Sequence, residues 1–427
     1  MIEQYVSGAI FLVTLIAILA ERVHRTIVSL VGAVVMVLVG NFMGFYSQEE
    51  AFETVDYETL LLLMGMMIIV AMLTHTGFFE YMATWVARKS RGRMWRLLVM
   101  LGVITTISSM FLDNVTTIVL IAPITVLITE ILGVNPIPFL MAEALLANTG
   151  GVATLIGDPP NILIGSAAGL SFNDFLVRLA PIVLFAWLAV LFTIRFLFRG
   201  ELSQEPKDVT ALMKLDAGEV LTDPVAVRKL MAVLAGTILL FFMHTQFHLL
   251  PSFVALLGAA AALLWVRPEL EEILKEVEWG VLLFFAGLFV TVGGIEASGL
   301  LDRLAEAFVS LASEDLLLLG LLLIWGSAIM SAIVDNIPFT IVMIPVIQSL
   351  GATGVDISPL WWALALGAGF GGNGTPIGST ANIIVVSISE KTRHPINTRT
   401  WLRSGVPVML VALAVGSVFY ALTFQFM

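Results

Sequence analysis

Two apolar stretches in this chain are too long to cross a membrane once, and each is interrupted near its middle by the same acidic pair. Residues 97–131 make 35 positions, about 52 Å as a single helix, against a hydrocarbon core of about 30 Å. Asp113-Asn114 breaks this stretch, and Asp335-Asn336 breaks the matching stretch 315–350. A re-entrant hairpin with the Asp-Asn pair at its tip accounts for both the length and the interruption. The stretches 138–169 and 360–389 are also over-long and are split by glycines and prolines. They read as helices broken at mid-membrane.

Only α-helices and closed barrels satisfy their backbone polar groups in lipid. Here the apolar segments are continuous runs near 20 residues, not short alternating strands, so an all-α polytopic bundle is expected. Further spans read at 5–20, 27–45, 58–75, 177–198, 229–246, 252–266, 279–296 and 404–425. With the two broken helices this gives ten transmembrane helices plus two re-entrant hairpins. Of the 427 residues, 59% are hydrophobic and 12% charged, where soluble domains carry roughly 25% charged residues. No basic stripe points to nucleic acid, and the absence of cysteine excludes disulfides and thiolate metal sites. Residues 8–20 have no basic flank before them, so they read as a first span, not a signal peptide.

If the N-terminus lies outside, 19 of the 21 Lys and Arg residues fall in cytoplasmic segments, and only Arg178 and Arg303 do not. The positive-inside rule therefore predicts both termini outside a bacterial-type inner membrane and the polar linker 199–228 in the cytoplasm. The halves 1–198 and 229–427 repeat at an offset near 222: Thr76-Gly77 matches Ser298-Gly299, and Pro123 matches Pro345. Asn148–Gly157 matches Gly369–Gly378, and Asn161 matches Asn382. Five crossings per half is an odd number, so the two repeats are expected to be inverted.

Non-helical backbone at membrane depth must be buried in protein or line a cavity. The tips at 113–114 and 335–336 and the breaks at 148–161 and 369–382 are therefore expected to meet. Expected solute ligands are Asn114, Thr116, Asn148, Thr149, Thr154, Asn161, Asn336, Asn373, Thr375, Ser379, Thr380 and Asn382. Expected proton or ion-coupling acids are Asp113, Asp335, Asp158 and Glu143, since an ionisable group at this depth is costly and usually functional. His75 and Glu130 read as packing and interfacial residues. His244 and His248 share i,i+4 spacing but have no acidic partner, so no metal is expected there. No Lys or Arg appears in the interior of a span, away from its ends, so the site is expected to hold carboxyls without a fixed positive charge. A bare dianion is repelled from such a place unless cations accompany it. Protons, Na⁺ or a neutral hydroxyl-rich solute fit better. No cofactor is expected, and no His-Glu-x-x-His, Gly-x-Ser-x-Gly or Walker A sequence points to an enzyme.

The segments Phe111–Thr117, Ile156–Asn161, Val334–Pro338 and Gly371–Thr375 resemble those of the ion-transporter superfamily. It includes ArsB-type arsenite pumps, NhaD-type sodium/proton antiporters, citrate and dicarboxylate carriers and the melanosomal P protein. The Asp-Asn tips and the Gly-Asp-Pro-Pro-Asn loop look closest to the P-protein and ArsB-like branch. Dicarboxylate symporters of the superfamily carry Ser-Asn-Thr at both tips, and the acids here add negative charge at those positions. The resemblance implies proton-coupled efflux of arsenite or antimonite, with sodium/proton exchange and dicarboxylate or citrate transport as alternatives. It also implies a homodimer, and leaves open a separate cytoplasmic ATPase docked on the linker.

Overall fold

The computed structural model describes residues 1–20, 22–112, 114–206, 209–214, 217–303 and 315–426. Asp113 lies outside the described residues. The helices of the first half are α1 (Ile2–Leu19), α2 (Arg25–Met43), α3 (Gln48–Glu53), α4 (Tyr57–His75), α5 (Phe78–Ser90), α6 (Met94–Leu112), α7 (Asn114–Leu132), α8 (Ile137–Gly151), α9 (Pro159–Ala168) and α10 (Phe172–Leu197). A short helix, α11 (Val209–Lys214), lies between the halves. The second half holds α12 (Pro224–Met243), α13 (Pro251–Val266), α14 (Leu270–Glu276), α15 (Trp279–Ala297), α16 (Leu316–Val334), α17 (Asn336–Ala352), α18 (Ser358–Gly371), α19 (Thr380–Glu390) and α20 (Thr398–Thr423). No strand occurs among the described residues.

Local chemistry sets these boundaries. Prolines open α9, α12 and α13, where their missing N–H would be unpaired in any case. Ser47 with Glu50 and Ser171 with Asp174 form capping boxes at α3 and α10. The hairpins appear as α6–α7 and α16–α17, with each helix pair packed together. The breaks run from Val152 to Asp158 and from Gly372 to Ser379. Asn148 and Thr149, expected in the first break, instead occupy the last turn of α8. Glycines 150 and 151 continue that helix because it is packed on every side, and packing overrides their weak propensity.

Among the described residues, ten helices are long and apolar enough to cross a membrane. The number matches the expectation but its membership does not. The hairpin arms α6, α7 and α16 are included, each with 19 residues, about 28 Å and close to a full hydrocarbon thickness. The 16-residue α13 and the segments of the broken helices fall below that length.

Helices Tyr57 and Trp279, Met94 and Leu316, and Asn114 and Asn336 open are matched at 222 positions. The packing is reciprocal. Helix α2 lies on α15, the counterpart of α4, while α4 lies on α13, the counterpart of α2. Likewise α7 packs on α19 and α9 on α17. Such exchange is what a pseudo-two-fold relation between inverted repeats requires. Close glycines fix the crossings within the two arms, the pair α4 and α13 and the pair α2 and α15. A Cβ at Gly65 would meet the Ala255 carbonyl carbon at 2.7 Å, and one at Gly287 the Ser29 carbonyl carbon at 2.8 Å. At the centre, every residue from Pro138 to Gly151 and from Pro359 to Gly371 is buried. The outer helices α1, α2, α10 and α20 leave Leu12, Leu38, Phe192 and Leu422 exposed, as lipid-facing surfaces do.

Candidate functional site

The buried acid of the site is Asp158, which ends the first break and is 1% exposed. Its side chain does not cap α9. Both described tip amides donate to it instead. Asn114 Nδ2 reaches Asp158 Oδ1 at 3.3 Å, and Asn336 Nδ2 reaches Oδ1 and Oδ2 at 3.2 and 3.3 Å. One acid thus joins the tips of the two hairpins.

Asn148 forms the second junction. Its Nδ2 donates to Asn382 Oδ1 at 2.8 Å and Asn373 Oδ1 at 3.2 Å. Its Oδ1 accepts from Asn114 Nδ2 at 3.1 Å and Ser379 Oγ at 3.2 Å. Asn373 Nδ2 donates back to Thr149 Oγ1 at 3.0 Å. Each break is braced from within by its own asparagine. Asn161 Nδ2 donates to the carbonyls of Gly151, Val152 and Thr154, and Asn382 Nδ2 to those of Gly372 and Thr375. Thr154 and Thr375 donate to the carbonyls of Met110 and Ala332, tying each break to the first arm of its own hairpin.

The repeats differ at the centre, where Gly369 and Ser379 correspond to Asn148 and Asp158. Asn382 Oδ1 therefore has a donor, while the matching Asn161 Oδ1 is buried with no hydrogen-bond partner among the described residues. A buried acceptor left in this state costs about 1–3 kcal/mol, so it marks a place where a proton donor or hard cation gains energy. The acceptor atoms here are all oxygens, which suit protons or a hard cation such as Na⁺. No metal-binding group of three His, Asp or Glu occurs among the described residues.

The expectation of no fixed positive charge is overturned. Arg25, the first residue of α2, points back to the second tip. Its Nη1 donates to Thr380 Oγ1 at 2.7 Å and lies 3.4 Å from Asp335 Oδ2. Its guanidinium stands 5.1 Å over the ring of Phe284. Arg25 had read as a loop charge obeying the positive-inside rule, and the reach of its side chain carries that charge into the protein. Asp335 has φ 79° and ψ 143°, a region L-residues rarely adopt, and such strain concentrates at working sites. Glu278, just before α15, hydrogen-bonds Thr116 and also senses Arg25. Burial pushes its carboxyl above the usual range, and Arg25 and the Thr116 hydroxyl pull it partly back. Arg25 and Glu278 are the site residues that sequence reasoning missed. Both stand at the starts of α2 and α15, which only the fold packs together.

The remaining candidates separate. Thr116 and Thr380 lie at the rim against Glu278 and Arg25, not among the central amides. Glu143 is buried in α8 away from the cluster, one oxygen hydrogen-bonded to Thr125 and Oε2 without a hydrogen-bond partner. His244 packs against Leu249 and Phe172, and Glu130 lines a separate cavity with Arg393 and His394.

The arms meet the core unequally. On the side where α2 begins, Arg25 and Glu278 contact both tips. On the side where α9 ends, crevices of about 310 and 200 Å³ separate α9 from α4, α13 and α15.

A polytopic helical bundle whose repeats enclose one buried polar site, with arms seated closely at only one end, is a membrane transporter. The family model described as a citrate transporter, CitMHS, matches residues 15–367, and the chain belongs to that family. It is 40% identical over 428 residues to the 46 kDa membrane protein of Mycobacterium leprae, covering 99% of each chain. It is 39% identical over 422 residues to the uncharacterized transporter Rv2684 of Mycobacterium tuberculosis, covering 97% of each. The human P protein is 33% identical over 507 residues, covering 97% of this chain and 60% of that one. Among solved structures, the YdaH transporter of Alcanivorax borkumensis superposes with a TM-score of 0.60 at 20% identity, covering 91% of this chain and 87% of that one. This last likeness is one of fold. The P-protein relationship agrees with the resemblance read from the motifs, while the family description names citrate and not arsenite.

Proposed function

We propose that this chain is a secondary active carrier of small carboxylate anions, of the citrate or dicarboxylate class, moved together with protons or Na⁺. The observation that carries this reading is Arg25: a guanidinium at the rim of a buried site supplies the positive charge a carboxylate needs. The family description supports the same class. Asp158 and Asp335 put two carboxylates in the site, and Arg25 balances one. A polycarboxylate therefore enters only with cations, and this need couples transport to an ion gradient. The arms, α2 with α15 and α4 with α13, and the core of hairpins and broken helices are the units that shift so that one side and then the other opens. The N-terminus and C-terminus lie outside and the linker in the cytoplasm.

Arsenite or antimonite efflux by proton exchange is the second reading. The centre of the site favours it, because Asp158 and its asparagines offer hydrogen bonds to a neutral hydroxyl solute and no positive charge. Reconstituted protein separates the readings. Uptake of labelled citrate or succinate under an imposed pH or Na⁺ gradient is expected. Arsenite movement, or Na⁺/H⁺ exchange with no carboxylate uptake, would overturn the first reading.

A further inference from the structure

We propose that Arg25 is the anion-recognition residue of this carrier and that Asp335 occupies it as an internal stand-in for a substrate carboxylate. The inference rests on the carboxylate reading above. Both contacts of the guanidinium use one nitrogen, Nη1. Arginine carries five N–H donors in a planar fork, and the others make no hydrogen bond among the described residues. The pair is long at 3.4 Å, where a good charge-assisted bond is about 2.7–2.9 Å. Phe284 supports the fork from one face, and the Arg25 side chain stays about a quarter exposed, at 24%. A ligand can thus reach a fork held flat, charged and mostly uncommitted. A carboxylate binding two of its donors replaces one weak contact by two strong ones.

A bound carboxylate takes the place of Asp335 on Arg25. Other charged groups on the surrounding elements are Glu278 at the start of α15, His24 beside Arg25, and Asp158 beyond Asn336. Arg399 and Arg403 on α20 are exposed, and Glu296 lies at the opposite end of α15. Asp335 forms its salt bridge with Arg25.

The test is citrate and succinate uptake into proteoliposomes, with KM and maximal rate measured from pH 5.5 to 8. Arg25→Gln is expected to raise KM at least tenfold, and Arg25→Lys to recover part of it. Asp335→Asn is expected to leave KM unchanged or lower it. The two substitutions break the same pair, so a purely structural clamp would change the same parameter in the same direction, which overturns the inference. So does an unchanged KM in Arg25→Gln while the wild type transports. A wild type that takes up neither acid overturns the carboxylate reading itself. Size-exclusion profiles identify a variant that fails to fold, in which case Arg25→Lys against wild type decides.

Discussion

Replacing Asn148 with Ala tests whether the two repeats are joined through one side chain. Asn148 uses both donors and both acceptor positions, on Asn382, Asn373, Asn114 and Ser379. Alanine leaves these groups unequally placed. Asn114 keeps Asp158, and the Ser379 hydroxyl can rotate. The Oδ1 atoms of Asn382 and Asn373 each lose the Asn148 donor while fully buried. An orphaned buried acceptor costs about 1–3 kcal/mol. The shorter bond to Asn382 belongs at the upper part of that range and the longer one to Asn373 at the lower. Water entering the space left by the side chain recovers some of this, so the loss is about 2–3 kcal/mol, roughly a 2–3 °C fall in melting temperature for a chain of this length. Transport should fall far more, because the same residue aligns hairpin tip and break across the repeat boundary. Asn148→Asp keeps the shape but sets oxygen against oxygen at both donor contacts, and should be at least as damaging. The measurements are thermal unfolding of purified protein and uptake in proteoliposomes. An Asn148→Ala protein that melts within a degree of wild type and transports normally would refute the bridging role.

Glu143→Gln should fold, since the amide can still pair with Thr125, but transport should lose much of its pH response. An unchanged pH–rate profile would make Glu143 a structural acid. Gly65→Leu and Gly287→Leu should each sharply reduce folded protein, because the new Cβ meets backbone at 2.7 and 2.8 Å and overpacking costs about 1–3 kcal/mol or more. Normal size-exclusion yields from both would count against the close arm crossings. Glu278 holds its proton more tightly when folded, chiefly through burial. Its contribution to stability is therefore present at low pH and is lost as pH rises from the ordinary carboxylate range through its raised value. Glu278→Gln should flatten the fall in melting temperature across that window, and a pH–melting curve identical to wild type would count against the assignment.

The sequence by itself determined the solvent of this protein and the period of its architecture. Stretches such as 97–131, longer than one crossing, had to break at Asp113-Asn114, because backbone in lipid must pair locally. A repeat offset is carried by covalent order and needs no coordinates to be seen. The asparagines at 114, 148, 336 and 382 could be named for the same reason: polar groups at that depth have few places to go. Which of them meet was decided only by tertiary structure. Nothing in the chain order of Asp158 says that amides from two hairpins converge on it, or that Gly369 leaves Asn161 without the donor Asn382 receives. Arg25 was hidden most fully. A charge at a helix start reads as a loop residue, and its flexible side chain spans several ångströms. Only the packing of α2 on α15 turns that reach toward Asp335 and gives a site expected to be purely acidic its one positive group among the described contacts.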